Sequence, residues 1–194
     1  MTTTRTIWTP PGAHRVMPWK NGLGETLEVA RSPDGKTLES FDWRVSVAPV
    51  VADGAFSVFP GIERTIAVIE GAGMELTLAG GARQTLKPGM PFTYDGGLAI
   101  DGRLIDGPVR DFNVMARRGK FAGSLILAEG AVALSGGAGA TLIAYALSGE
   151  WQVMHDGETG RLQSGASLRT TAGMVRLEPA VPDARAAIAL LRQL

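Results

Sequence analysis

Cysteine is absent from the 194 residues, and histidine occurs only twice, as His14 and His155. The first absence excludes disulfides, thiolate metal sites and a cysteine nucleophile. The second leaves too few imidazoles for a histidine-rich metal centre. Net charge is missing as well: 19 Lys+Arg balance 19 Asp+Glu, so nothing marks the chain for nucleic acid or an anionic membrane surface. No apolar run approaches the ~20 residues that a membrane span needs. The start, Met1-Thr-Thr-Thr-Arg-Thr-Ile-Trp-Thr, has neither the apolar core nor the cleavage pattern of a signal peptide. These absences lead us to expect a soluble, cytoplasmic protein with no nucleic-acid or membrane partner.

Glycine, by contrast, is abundant. It supplies 26 of 194 residues, about 13% against a usual ~7%, scattered as punctuation rather than in a repeat. Strand patterns fill the intervals. Trp43–Ala48 and Met74–Leu78 alternate apolar and polar residues, Thr65–Ile69 is β-branched, and Asp111–Met115, Thr141–Leu147 and Trp151–Met154 are of the same kind. Turn residues recur between them at roughly the 8–12-residue spacing of a sandwich or barrel. Ala131–Gly139 is expected to be a loop. The tail, 184–194, carries helix-favouring residues but stands where a closing strand belongs, and we expect the strand.

Shifting the chain by 78 residues places Gly71 on Gly149, Arg83 on Arg161 and Ile69 on Leu147. In each copy an apolar strand runs into a glycine turn, a short strand, a second glycine turn and a polar segment with arginine. Such internal similarity predicts two like all-β lobes.

Fifteen of the 19 basic residues are arginine. Compositional bias accounts for most of them; planar, bidentate recognition of a carboxylate or phosphate would account for a few. Three segments are candidates for chemistry. In Pro18-Trp19-Lys20-Asn21-Gly22-Leu23-Gly24, Trp19 offers a wall, Lys20 a point charge and Asn21 a donor and an acceptor. The same residues also suit a lead-in turn whose Trp plugs the core. Thr26 and Glu28 follow on one face of a strand. In Phe59-Pro-Gly-Ile-Glu-Arg64, the arginine is either aimed into a lobe or exposed beside Glu63. In Asp111–Gly119, alternation sets Asp111, Asn113, Met115 and Arg117 on one face, with Phe112, Val114 and Ala116 on the other. The alternative there is an edge strand ending in a solvated turn. Gly35-Lys36-Thr37 lacks the glycine five positions earlier that a phosphate loop needs, and Gly22-Leu23-Gly24 lacks the third glycine of a dinucleotide fingerprint. Both histidines fall in turn-like sequence and are expected at the surface.

Pro18-Trp-Lys-Asn-Gly-Leu-Gly-Glu-Thr26, Phe59-Pro-Gly-Ile-Glu-Arg64 and Asp111-Phe-Asn-Val-Met-Ala-Arg-Arg118, in that order and spacing, resemble the HutD/Ves family from about Met17 onward. The resemblance implies an all-β bicupin, two β-barrel or jelly-roll lobes, which we divide as 1–104 (with its lead-in segment) and 105–194. It also implies an association with histidine utilisation, as a regulator or metabolite binder rather than an established catalyst. Leu23 stands where the family has a third glycine, so a side chain narrows that loop. Metal-dependent cupins place a His-x-His cluster ahead of a glycine turn, whereas 59–71 contains no histidine. The expectation is therefore no metal and no cofactor. A homodimer is compatible with the resemblance.

The expected ligand is a small carboxylate such as urocanate or a formyl- or formimino-glutamate. Arg64 would clamp it, with polar contacts from Lys20, Asn21, Thr26, Asn113 and Arg117. Glu28 would accept from a ligand N–H, and Trp19, Phe112 and Met115 would form walls. The alternative is a metal-independent isomerase or hydrolase with Glu28 as general base.

Overall fold

A computed structural model describes residues 6–18, 24–34, 40–171 and 173–194. Among them are nineteen strands and no helix: β1 (Thr6–Thr9), β2 (Arg15–Pro18), β3 (Glu25–Ser32), β4 (Trp43–Val50), β5 (Gly54–Ala55), β6 (Ile62–Glu70) and β7 (Met74–Leu78) come first. Next are β8 (Arg83–Leu86), β9 (Phe92–Asp95), β10 (Ile100–Leu104), β11 (Val109–Arg117), β12 (Phe121–Ala128) and β13 (Val132–Ser135). The chain ends with β14 (Ala140–Ser148), β15 (Glu150–His155), β16 (Glu158–Gln163), β17 (Ser167–Thr170), β18 (Met174–Pro179) and β19 (Arg185–Gln193). No helix among the described residues is long and apolar enough to cross a membrane.

The strands fall into two compact units, Arg15–Gly123 and Ser124–Leu194 together with the N-terminal stretch ending at His14. The division thus lies at 123/124, not at 104/105. The reason is pairing: β11 lies between β4 and β6, and so belongs to the first lobe, while β1 pairs with β17 in the second. In the first lobe a six-stranded sheet in the order β2-β3-β4-β11-β6-β9 accompanies a four-stranded sheet β5-β10-β7-β8. In the second, β1-β17-β14-β19-β12 accompanies β13-β18-β15-β16.

These orders are the same pattern twice. The run β4-β11-β6-β9 corresponds to β12-β19-β14-β17, and β5-β10-β7-β8 to β13-β18-β15-β16. The 78-residue shift carries the first residue of β6, Ile62, onto that of β14, Ala140. Gly71 and Gly149, matched by the same shift, close β6 and β14 with φ of 95° and 69°. A Cβ on Gly71 would stand 2.6 Å from the Pro108 carbonyl oxygen, and one on Gly149 2.8 Å from the Ala184 Cα. Only glycine fits both the left-handed angle and the close backbone approach.

Two local expectations are corrected. The 131–139 segment is not all loop, because Val132–Ser135 pairs with β18 through Val132↔Leu177 and Leu134↔Val175; small residues suffice for a short edge strand. Both histidines are buried. His14 shares a 2.9 Å hydrogen bond with the Ser167 hydroxyl and meets the Tyr145 ring edge-on, and His155 pairs with the Thr170 hydroxyl at 2.8 Å. The tail is a strand, β19, paired with β14.

Candidate functional site

The first lobe's large sheet carries a single row of cross-strand neighbours: Arg31 on β3, Arg44 on β4, Met115 on β11, Arg64 on β6 and Tyr94 on β9. Because side chains alternate along a strand and neighbours in register share a face, all five lie on one side of the sheet. It is the side that turns inward, since Ile66, Val68 and Val109 on the same face pack with Met74, Leu76 and Leu86 of the opposite sheet. The next row on that face is Glu28, Ser46, Asn113, Ile66 and Phe92, and Asp111 lies one step further along β11. A bulge between Glu28 and Ala30 is what brings Glu28 and Arg31, three residues apart, onto this common face.

The interior therefore buries three guanidiniums, Arg31, Arg44 and Arg64, beside two carboxylates, Glu28 and Asp111. Glu28 is doubly engaged: Arg44 Nε donates to its Oε2 at 2.9 Å, and Arg31 Nη2 is 3.5 Å from its Oε1. Arg44 also points Nη2 at the Met17 sulfur, 3.6 Å away. Burial lowers the Arg44 pKa from its ordinary value, and the Arg31 and Arg64 charges add to that, while Glu28 opposes it.

A second chain of bonds orients Arg64. Its Nε and Nη2 both donate to the Asn113 side-chain oxygen, at 2.9 and 2.6 Å, and the Asn113 amide donates to Asp111 Oδ1 at 2.7 Å. The amide has only one orientation that satisfies a guanidinium on one side and a carboxylate on the other. Asp111 is 1% exposed, and burial raises its pKa, opposed by Arg64, by the Asn113 amide and by the Ala48 backbone N–H. Arg64 lies against two aromatics, with its guanidinium carbon 5.0 Å from the Phe56 ring centroid and 5.8 Å from that of Tyr94. Gly102 makes the room: a Cβ there would come within 2.5 Å of the Phe56 ring. The side-on edge of Arg64 is thus used by Asn113, and its Nη1 donates to no described residue. Such an edge is suited to an anionic oxygen.

The Tyr94 hydroxyl is buried and has no hydrogen-bond partner among the described residues. Its ring stacks on Phe92 at 5.9 Å, and burial pushes its pKa up, so the phenol is uncharged.

Several expected site residues come together here and others do not. Glu28, Arg64, Asn113 and Met115 line the interior, and Thr26 shares the face of Glu28, two residues along β3. Glu28 serves as counter-ion to two arginines rather than standing free for a ligand. Met115 packs with Phe41 and Ile62 in a small apolar cluster. Phe112 lies on the opposite face of β11 from Asn113, so it is not a wall of this interior. Arg117 is spent on the backbone, with Nε donating to the Phe41 carbonyl at 3.0 Å and lying 4.0 Å from Asp42. Trp19, Lys20 and Asn21 lie outside the described residues. Arg31, Arg44, Ser46, Asp111 and Tyr94 were not among the expected site residues. The signal for Arg44 and Ser46 was the alternation of Trp43–Ala48; the bulge hid Arg31.

The donor set does not suit a divalent cation. Among the described residues no three His, Cys, Asp or Glu side chains gather. The two interior carboxylates are, moreover, surrounded by three guanidiniums whose charge repels a cation. The second lobe has no comparable interior. Register puts Leu142, Leu190 and Thr170 at the positions of Arg64, Met115 and Tyr94, and Ile188 and Ala186 at those of Asn113 and Asp111. Leu142, Ala186 and Ile188 belong to an apolar core that is filled by Trp151, Leu162 and Leu177.

Comparison with known proteins agrees with this architecture. The crystal structure of PA5104 from Pseudomonas aeruginosa PAO1, a conserved protein of unknown function, matches with a TM-score of 0.86 at 30% identity, covering 97% of this chain and 99% of that one. HutD from Pseudomonas fluorescens SBW25 matches with a TM-score of 0.82 at 32% identity, covering 98% and 100%. Protein Ves of Cronobacter sakazakii is 36% identical over 138 residues, 70% of this chain and 72% of its own. The HutD family model matches residues 12–188. With that match spanning most of the chain, this two-lobed cupin belongs to the HutD/Ves family.

Proposed function

We propose that the protein is a binder, acting as a sensor or regulator, of a small carboxylated metabolite of histidine degradation, of the urocanate or formyl- or formimino-glutamate type. The observation that carries this reading is the interior of the first lobe, where three buried guanidiniums face two carboxylates. The bonds of buried Arg64 go to a neutral amide, Asn113, and a buried guanidinium is costly unless an anion joins it. Arg64 is the residue best placed to receive that anion, because Asn113 and Asp111 fix its plane through Nε and Nη2 and leave Nη1 without a described acceptor. The link to histidine degradation is the one that resemblance to the HutD/Ves family implies.

The enzymatic alternative depends on Glu28 as a general base. Two arginines already occupy its oxygens, so the geometry favours binding.

Thermal melts with millimolar urocanate, N-formyl-L-glutamate and N-formimino-L-glutamate test the reading. A ligand at one hundred times its Kd adds about 2.7 kcal/mol, which for a chain of this size raises the Tm by roughly 5–10 °C. Arg64→Met should abolish the rise. No shift with any of the three, in protein that melts cooperatively, would contradict the reading.

A further inference from the structure

A buried hydroxyl almost always has a partner, because leaving one unmade forfeits the bond that water would supply. Tyr94 is 8% exposed, and its hydroxyl nevertheless bonds to no other group among the described residues. The residue is fixed in place: β9 pairs with β6 so that Tyr94 lies directly across from Arg64, its ring stacks on Phe92, and the Arg64 guanidinium lies near the ring. The residues clustered with it, among them Ile66, Leu86 and Phe92, are apolar and cannot answer the phenol. A phenylalanine would pack there as well, so packing does not account for the oxygen.

We propose that the Tyr94 hydroxyl is a ligand-binding group, donating a hydrogen bond to the same carboxylate that Arg64 receives. This rests on the reading of the lobe interior given above and adds to it a third donor and a rule of selectivity. A carboxylate has two oxygens and about four acceptor positions. The outer edge of Arg64 uses two of them, and a neutral phenol beside it takes another. The ligand end recognised here is then a free carboxylate rather than an ester or an amide, since only the carboxylate accepts three donors without bringing a donor or a bulky group of its own.

The test compares wild type, Tyr94→Phe and Arg64→Met by calorimetric titration with urocanate and with N-formyl-L-glutamate, and by melting each protein without ligand. The expected result is that Tyr94→Phe weakens the better probe about tenfold or more, the usual loss for one hydrogen bond to a charged group. Its ligand-free Tm should be unchanged or higher, because the variant removes an unpartnered polar atom. Arg64→Met should bind neither probe. Binding by Tyr94→Phe within twofold of wild type would overturn the inference while leaving the Arg64 reading intact. A ligand-free Tm several degrees lower would overturn it too, by showing that the hydroxyl serves the fold. Failure of the wild type to bind either probe would overturn both.

Discussion

Asn113 accepts two bonds from Arg64 and donates one to Asp111, so its role is to aim a guanidinium, not to touch a ligand through its oxygen. Removing the far end of that chain should be costly. Asp111→Ala leaves the Asn113 amide and the Ala48 N–H without an acceptor, and should lower stability by about 2–4 kcal/mol in urea unfolding. Glu28 plays a similar part for Arg31 and Arg44. Glu28→Ala takes the counter-ion from buried Arg44, with an expected loss of about 3–5 kcal/mol; a variant as stable as wild type would show that the pair is solvated. His14 supplies the pH dependence. Burial holds its pKa below the usual 6.5, so the unfolded chain takes up the proton first as pH falls. Stability is fully present above 6.5 and declines below it, by at most about 1.4 kcal/mol per pH unit, until the folded value is passed. Asp111, with a raised pKa, acts in the opposite sense: its contribution declines as pH rises from 3.8 through its folded value. His14→Gln should flatten the urea-midpoint profile between pH 6.5 and 5, and an unaltered profile would remove His14 as its cause.

At the level of elements, one strand with two unlike faces organises the site. β11 is buried on both sides over 111–116, and its alternation could be read directly from Asp111-Phe-Asn-Val-Met-Ala. The same alternation in Trp43-Arg-Val-Ser-Val-Ala placed Arg44 and Ser46 on one face, yet a polar face of an antiparallel strand ordinarily meets water. Only the closed sheet pair shows that this one meets the lobe interior. The bulge in β3 is less legible still: nothing in Glu28-Val-Ala-Arg31 announces that an inserted residue brings both charges to one side. Tyr94 lay in a four-residue strand too short to give a periodic signal. The glycine turns were legible, because their function depends on the absence of a side chain. Gly71→Ala must place a Cβ 2.6 Å from a carbonyl oxygen at φ 95°, and should cost about 2 kcal/mol or more. A midpoint unchanged from wild type would mean that the turn has relaxed.

Across the whole molecule, the fold is duplicated and the polar interior is not. Strand order repeats, but the second lobe holds Leu142, Ala186 and Ile188 where the first holds Arg64, Asp111 and Asn113. The repeat was visible in glycine spacing, because turns are set by backbone geometry. The difference between the lobes was not, because it depends on which face of each strand turns inward. The proposed anion site, in the first lobe alone, predicts one ligand per chain in calorimetry; two would require a site in the apolar lobe.

The most direct measurement is a crystal structure grown with the ligand that gives the largest thermal shift. Carboxylate density is expected in the first lobe, against the outer nitrogens of Arg64 and within hydrogen-bond reach of the Tyr94 hydroxyl. Ligand bound in the second lobe, or in the first with its carboxylate turned away from Arg64, would contradict it.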